Sequence, residues 1–383
     1  VTLGFIRAVY RLATGFFYTA PEGVKKNRYY HPLVSVIIPA WNEEVGIKRT
    51  LESVIGNGYA RIEVIVVDDG STDNTAKSVE QFSKQYSKVH LISQANGGKA
   101  SALNTGIAAA KGSLILTLDA DSYLEPDSIK KMIGALADKQ YSVAIGEVVV
   151  GNTKTWLGRA QHFEYSVGFH VKRGQHVFDS AYIFPGALTM FRASTLKEVG
   201  EFTHYSSTED LDISMRIKAA GHKIAYVDSA FCITEGASTL KGILNQRTRW
   251  RHGYLECLIH RKDFLITPSK GWYLTLVDLP LQLFGVLETL LFPFILAMLG
   301  YLMLLHVNPL ALVMAYCIVP FMLLMLGDMR GKYNASNLWA FTMPPMLIAI
   351  EAIEHIALLK SIYRTIRRKR TAWTIWQRTG AVS

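Results

Sequence analysis

Along the first two thirds of the chain, short apolar runs alternate with longer stretches of helical period. Leu33–Pro39 is a β-branched run closed by proline and reads as a buried strand. Glu43–Ile55 carries a helical pattern. Ile62–Val67 is a second apolar strand, closed by Asp68-Asp69-Gly70-Ser71. Thr75–Tyr86 returns to a helix, Val89–Ser93 to a strand and Gly98–Ala110 to an alanine-rich helix. Leu114–Leu118 is a fourth strand, ending at Asp119. This alternation predicts an α/β fold, a Rossmann-like, mostly parallel sheet with helices on both faces. Further on, Val143–Val150 reads as a strand, Trp156–Gly174 as a helix or an irregular linker, and Phe184–Ala187 as a turn. Thr195–Gly200 reads as a short helix, Asp210–Ala220 as a helix behind an acidic pair, and Ile224–Val227 as a late strand.

From Trp272 the pattern changes. Trp272–Leu305 is almost continuously apolar, broken by Asp278, Pro280, Glu288 and Pro293. It is longer than the ~20 residues of one bilayer crossing, so it divides into an interfacial helix and a spanning helix. Pro309–Leu326 is a second span. Leu338–Leu359 is a third, with Pro344-Pro345 inside it and Glu351 and Glu354 later; these features predict a broken or shallow helix. The chain thus divides into an N-terminal helix and linker (1–31), a catalytic-sized α/β domain (32–232), interfacial helices (233–271), membrane helices (272–363) and a basic tail (364–383). Val1–Tyr18, with Arg7 and Arg11 on a helical period, fits either an interfacial helix or a packed terminal one.

Composition sharpens this. Half of the 383 residues are hydrophobic and the formal net charge is +10. The basic run Arg364–Arg370 follows the last apolar segment, which assigns the excess to anionic lipid; no nucleic-acid motif accompanies it. Cys232, Cys257 and Cys317 have neither metal-ligand nor disulfide spacing. The histidines His162, His170, His176, His204, His252 and His260 are not spaced as a zinc site.

In open α/β sheets ligands sit beyond the carboxyl ends of the strands, and the unusual polar clusters fall there: Asn42-Glu43, Asp68-Asp69 and Asp119-Ala120-Asp121. Loops far apart in sequence therefore converge on one cleft. Asp119 and Asp121 suit a hard divalent cation that shares its shell with substrate phosphates, or else an acidic turn. Asp68 and Asp69 suit a base or ribose, or a helix cap. Gly97-Gly98-Lys99 offers backbone donors and one cation. Glu209-Asp210 opens a helix, where Asp210 is either a cap or a general base. Gln246, Arg247, Arg249 and Trp250 form a cationic-aromatic segment. Arginine forks suit a diphosphate, and the indole serves as a sugar-stacking face or an interface anchor.

Taken in order, these segments resemble the membrane-integrated branch of the family 2 glycosyltransferases, which includes poly-β-1,6-N-acetylglucosamine, hyaluronan, chitin and cellulose synthases. The similarity spans Pro32–Arg251 and the helices that follow. It rests on Pro39-Ala40-Trp41-Asn42-Glu43, Val67–Ser71, Asn96–Asn104, Asp119 with Asp121, Phe184–Ala187, Thr208-Glu209-Asp210 and Gln246–Trp250. The resemblance implies a GT-A fold with C-terminal transmembrane helices, in a multi-pass protein of the cell membrane with its catalytic domain cytoplasmic. It implies inverting transfer of a sugar, N-acetylglucosamine by preference, from a UDP-sugar to a glycan acceptor, forming β-linkages in polysaccharide synthesis. Asp210, beside Glu209, is then the base. Pro39, Asn42, Glu43, Asp68, Asp69, Lys99, Asp119 and Asp121 bind the donor, and Asp121 with Asp119 holds Mg²⁺ or Mn²⁺. Gly186, Gln246, Arg247, Arg249 and Trp250 meet the acceptor or diphosphate. Family members carry membrane spans ahead of this domain, where the sequence begins with the short Val1–Tyr18 segment. Three further possibilities follow: transfer of one sugar to a lipid or lipid-linked acceptor, help from a homo-oligomer or auxiliary membrane subunit, and a non-catalytic membrane partner.

Overall fold

The computed structural model describes residues 10, 13–20, 30–266, 271–305 and 344–369. Strand β1 (Val34–Ala40) and strand β2 (Ile62–Asp68) are buried along their whole length, as strands covered on both faces must be. Helix α1 (Ile47–Ile55) turns Ile47, Thr50, Leu51 and Val54 inward, the one-face spacing of an amphipathic helix. Helix α2 (Thr75–Gln85) and strand β3 (Val89–Ser93) follow. Helix α3 (Lys99–Ala109) is built largely of small residues because it lies close on the sheet. A Cβ at Gly106 would stand 2.5 Å from Ile37 Cγ2. Strand β4 (Leu114–Thr117) ends this half, and β3, β2, β1 and β4 pair in that order, all parallel.

The second half departs from the expected pattern. It comprises β5 (Tyr123–Leu124), α4 (Ser128–Leu136), β6 (Tyr141–Val150), α5 (Trp156–Val177), β7 (Thr189–Arg192), α6 (Ala193–Val199), α7 (Glu209–Ala219) and β8 (Lys223–Thr234). The sheet continues β4-β7-β6-β8-β5, with β7 antiparallel to both β4 and β6, and β5 antiparallel to β8. The sheet is therefore mixed yet mostly parallel: β6 pairs parallel with β8, six of the eight strands run one way, and β7 and β5 oppose them. Of these two, β7 has four residues, too few for a period to declare itself, and it leaves a tight turn at Leu188, whose φ is +57°. Trp156–Val177 is one regular helix, not a linker. Strand β8 is three times the length of the four residues expected, because its later part pairs with β6 beyond a register shift.

Helix α8 (Leu240–His260) and the short α9 (Lys262–Ile266) lead to the apolar region. There, a π-helical segment, Leu274–Asp278, runs straight into helix α10 (Leu279–Leu304). The expected division into an interfacial and a spanning helix is not seen. One continuous helix of 31 residues, Leu274–Leu304, is long and apolar enough to cross a membrane by length and composition, alone among the described residues. At 1.5 Å per residue it reaches about 46 Å, more than the ~30 Å hydrocarbon layer. Its outer face is bare, with Phe294 and Leu304 at 71% and 78% exposure. The expected span Pro309–Leu326, with Cys317, lies outside the described residues.

Helix α11 (Pro344–Ile366) begins at Pro344-Pro345; the part of the expected third span ahead of it, 338–343, lies outside the described residues. It packs on α8 and α10. Glu354 pairs with Arg251 at 2.7 Å, Ser361 Oγ donates to the Thr248 carbonyl at 3.0 Å, and His355 Nδ1 lies 2.8 Å from the Thr289 carbonyl. At the other terminus the described residues pack on the domain. Phe16 meets the edge of His170, and the Tyr18 hydroxyl donates to the Tyr226 carbonyl at 2.7 Å.

Candidate active site

The polar turns at the ends of β1 and β2 are knitted together. Asn42, at φ +52°, accepts the Thr72 amide at 2.7 Å, and its own amide donates to Ser71 Oγ. The Glu43 amide donates to Thr75 Oγ1. Asp69 is fully buried, and both its carboxylate oxygens are spent on the next loop. They accept the amides of Gly97 and Gly98 at 2.9 and 2.8 Å and the Gln94 side-chain amide at 2.7 Å. Asp69 thus clamps the loop that launches Lys99. Asp68 is buried and takes the Ser71 amide at 3.3 Å.

Lys99 reaches across the ends of the central strands. Its Nζ lies 2.6 Å from Asp119 Oδ1 and 3.3 Å from Glu209 Oε1. Burial lowers the basicity of Lys99, but Asp119, Glu209 and Asp210 outweigh it and hold the ammonium strongly charged. Asp210 stands beside Glu209 in the first turn of α7, where its Oδ1 accepts the Leu211 amide at 2.8 Å. Burial and then the charge of Glu209 push its carboxyl up to about 6, against the pull of Lys99 and Arg249. That places it where a general base working near neutral pH is effective. Gly186 closes this corner: a Cβ there would come within 3.1 Å of Asp210 Oδ2 and 3.2 Å of Lys99 Nζ. The turn ahead of Asp210 is held from α8, since Glu256 accepts both the amide and hydroxyl of Ser207, at 2.8 and 3.0 Å.

These groups open on one cavity of ≈ 650 Å³. Lys99, Asp119, Asp121, Gly186, Glu209, Asp210, Gln246, Arg247, Arg249 and Trp250 all line it. Pro39, Asn42, Glu43, Asp68 and Asp69 do not; they lie at the adjoining strand ends. Within the cationic segment the two arginines differ. Arg247 is buried, pairs with Glu164 at 2.6 Å and Glu354 at 3.4 Å, and lies 4.4 Å over the Trp250 ring. Gln246 Oε1 and the Nε of both arginines are buried with no hydrogen-bond partner among the described residues, but Arg249, unlike Arg247, makes no ion pair there. An arginine donor left unmet at a cavity wall is suited to an anionic ligand.

Residues 35–200 match the sequence model of glycosyl transferase family 2. That stretch of the chain is thus similar to the family 2 glycosyl transferases. Over 236 residues it is 32% identical to the poly-beta-1,6-N-acetyl-D-glucosamine synthase of Staphylococcus epidermidis, covering 61% of this chain and 57% of that protein. It is 31% identical over 237 residues to the synthase of the same name from Staphylococcus aureus strain COL, covering 61% and 57%. The chain therefore spans a little over half the length of these relatives. A solved mannosyltransferase from Pyrobaculum calidifontis, in complex with GDP-Man and Mn²⁺, superposes with a TM-score of 0.63 at 18% identity, covering 96% of this chain and 99% of that one. It supports a mixed α/β, GT-A-like sheet fold.

The stretch matched by the family model ends before Asp210 and α8, so their place in the site comes from geometry. Several cavity residues escaped the sequence reading. Glu164, Tyr165, Gly168, Phe169 and Lys172 of α5 line the wall, as do Glu351 and Glu354 of α11. Burial pushes the Glu164 carboxyl up to about 7, against Arg247 and with Glu354 and Glu351 adding to the rise. The α5 residues recur at i, i+4 and i+8, one face of a helix; that spacing was the available signal.

For a divalent cation, among the described residues no three His, Cys, Asp or Glu side chains gather closely enough to hold one unaided. Asp119 is engaged by Lys99, while Asp121 lines the cavity with Ser122 Oγ at 3.0 Å. A carboxylate pair one residue apart fits Mg²⁺ or Mn²⁺ only if phosphate oxygens complete the shell, which is how such ions commonly bind.

Proposed function

We propose that the chain is an inverting glycosyltransferase that moves a sugar, N-acetylglucosamine in our reading, from its UDP donor to a glycan acceptor, forming β-linkages in polysaccharide synthesis. The observation that carries this reading is the single cavity holding Asp210, the Lys99–Asp119 pair, Asp121, Arg249 and Trp250. The names of the relatives favour the sugar.

In this mechanism the diphosphate lies toward Asp121 and Arg249. Asp121, with Asp119 behind it, would hold Mg²⁺ or Mn²⁺, which supplies charge neutralisation for the departing diphosphate. Arg249 contributes its unmet Nε donor to the same charge. Trp250, steadied by Arg247, offers a face for the acceptor ring. Asp210, ionised above about pH 6, takes the acceptor hydroxyl proton as that oxygen attacks the anomeric carbon from the side opposite the leaving group. Lys99 fixes the carboxylates around it. Gly186 leaves the space a sugar needs beside Asp210. Pro39, Asn42, Glu43, Asp68 and Asp69 shape the nucleotide side from the strand ends. Helix α10 anchors the protein in the cell membrane, with the domain on the cytoplasmic side where nucleotide sugars are made.

The test is incubation of the purified, lipid-reconstituted chain with labelled UDP-N-acetylglucosamine, UDP-glucose and GDP-mannose, followed by mass analysis of products. UDP-N-acetylglucosamine should be consumed and its sugar incorporated. Consumption of another donor alone would overturn the sugar assignment, and consumption of none would overturn the reaction.

A further inference from the structure

One cation of the cavity wall has no part in this reaction. Lys99 is paired with Asp119 and Glu209, Arg247 with Glu164 and Glu354, and Arg251 with Glu354. Lys172, on α5, lines the same cavity, yet among the described residues it makes no ion pair. Its Nζ lies 4.7 Å over the ring of Phe169, one turn earlier. Burial pulls its ammonium down to about 8, and Asp210 and Glu147 offset this only in part. A half-buried ammonium that makes no ion pair is poorly compensated, and a bound anion would compensate it.

The position of Lys172 says which anion. Three residues further along α5, Gln175 donates to Asp278 at 2.7 Å, and the Tyr182 hydroxyl donates to Gln282. Both partners belong to the start of the apolar helix. Gln282, Gly285 and Val286 of α10 then line the cavity wall. On the same helix Leu283, Leu287 and Phe294 are bare, at 42%, 47% and 71% exposure. An unpaired cation thus sits where the cavity meets the root of an uncovered apolar helix, with Asp210 on the same cavity. A ligand fitting all three has an anionic group, an apolar chain and a hydroxyl.

Resting on the transferase reading, we infer that Lys172 recognises the phosphate of a lipid-linked sugar acceptor. The phosphate meets the ammonium, the lipid chain follows α10, and the sugar hydroxyl is directed at Asp210. The hydroxyl oxygen forms a bond to the donor anomeric carbon. The bond from that carbon to the diphosphate oxygen breaks, with the electron pair leaving on the diphosphate, and the proton passes to Asp210. The lipid phosphate ester stays intact.

The experiment measures binding without turnover. Full-length protein in detergent is titrated with farnesyl phosphate, farnesol and inorganic phosphate, following intrinsic tryptophan fluorescence, for the wild type, Lys172→Met and Lys172→Arg. A charge-assisted contact predicts that farnesyl phosphate binds about tenfold more tightly than farnesol. Lys172→Met should abolish that preference without changing farnesol binding, and Lys172→Arg should retain it. Equal binding of the two lipids by the wild type overturns the proposal, as does a preference that survives Lys172→Met. Competition by inorganic phosphate as effective as that by farnesyl phosphate would make the site one for a soluble anion, which also overturns it. Because no step of the assay needs a donor, these failures are separate from failure of sugar transfer.

Discussion

The ammonium of Lys99 lies 2.6 Å from Asp119, so the helix that follows the Gly97-Gly98 loop and the loop that follows β4 meet in one ion pair beside Asp210. Lys99 lowers the proton affinity of Asp210, whereas burial and Glu209 raise it. Lys99→Met removes the lowering influence. The acidic limb of the pH profile of kcat/KM should then move to higher pH than in the wild type. A limb that stays in place would show that Lys99 does not act on the base electrostatically.

Asp210 itself sets the sign of the pH dependence. A base must be ionised to work, so transfer should be lost as pH falls through about 6 and be retained above it. Asp210→Asn preserves shape but not basicity, and should reduce transfer by about two orders of magnitude or more while donor binding survives. Near-normal turnover in a folded Asp210→Asn variant would assign the base elsewhere.

The carboxylates Asp119 and Asp121 predict a metal requirement. Exhaustive chelation should abolish transfer, and Mg²⁺ or Mn²⁺ should restore it. Asp121→Ala should weaken donor binding in the presence of metal, measured by equilibrium dialysis of labelled donor. Turnover unaffected by chelation would remove the metal from the mechanism.

The two arginines of the cationic segment should separate by what their loss damages. Arg247 is buried between Glu164 and Glu354, which tie α5, α8 and α11 together. Arg247→Ala leaves buried carboxylates uncompensated and should cost about 3–5 kcal/mol of stability. Arg249, unlike Arg247, makes no ion pair among the described residues, so Arg249→Ala should leave thermal unfolding near wild type and reduce turnover. Thermal denaturation in detergent alongside initial rates distinguishes them. Equal loss of stability in both variants would place Arg249 in the structural network as well.

The parallel half of the sheet was legible because β1, β2 and β4 are buried on both faces, so their residue types follow from local position alone. Their ends could be read from the abrupt change to Asp and Asn. The acidic pair before α7 and the cationic-aromatic segment of α8 were visible as clusters, and the apolar residues 272–305 declared a helix by length. Each of these signals is contained in a few adjacent residues, where the chain's own period or composition reports the environment.

What the tertiary structure decided is everything that depends on a distant partner. Strand β7 exists because β4 and β6 offer it two edges, not because four residues prefer extension. Asp69 and Asp121 are both strand-end aspartates, yet Asp69 is consumed by the Gly97-Gly98 amides while Asp121 opens on the cavity. Arg247 and Arg249 are two residues apart on one helix, an offset of roughly 200°, and both line the cavity, yet only Arg247 is ion-paired, with Glu164 and Glu354. Lys172 reads as an ordinary helical lysine until α10 is laid beside it. Sequence fixes each side chain's chemistry and its local period; whether a charge is neutralised, buried or left available is a property of the groups folded around it, and electrostatic energy depends on their distance in space rather than along the chain.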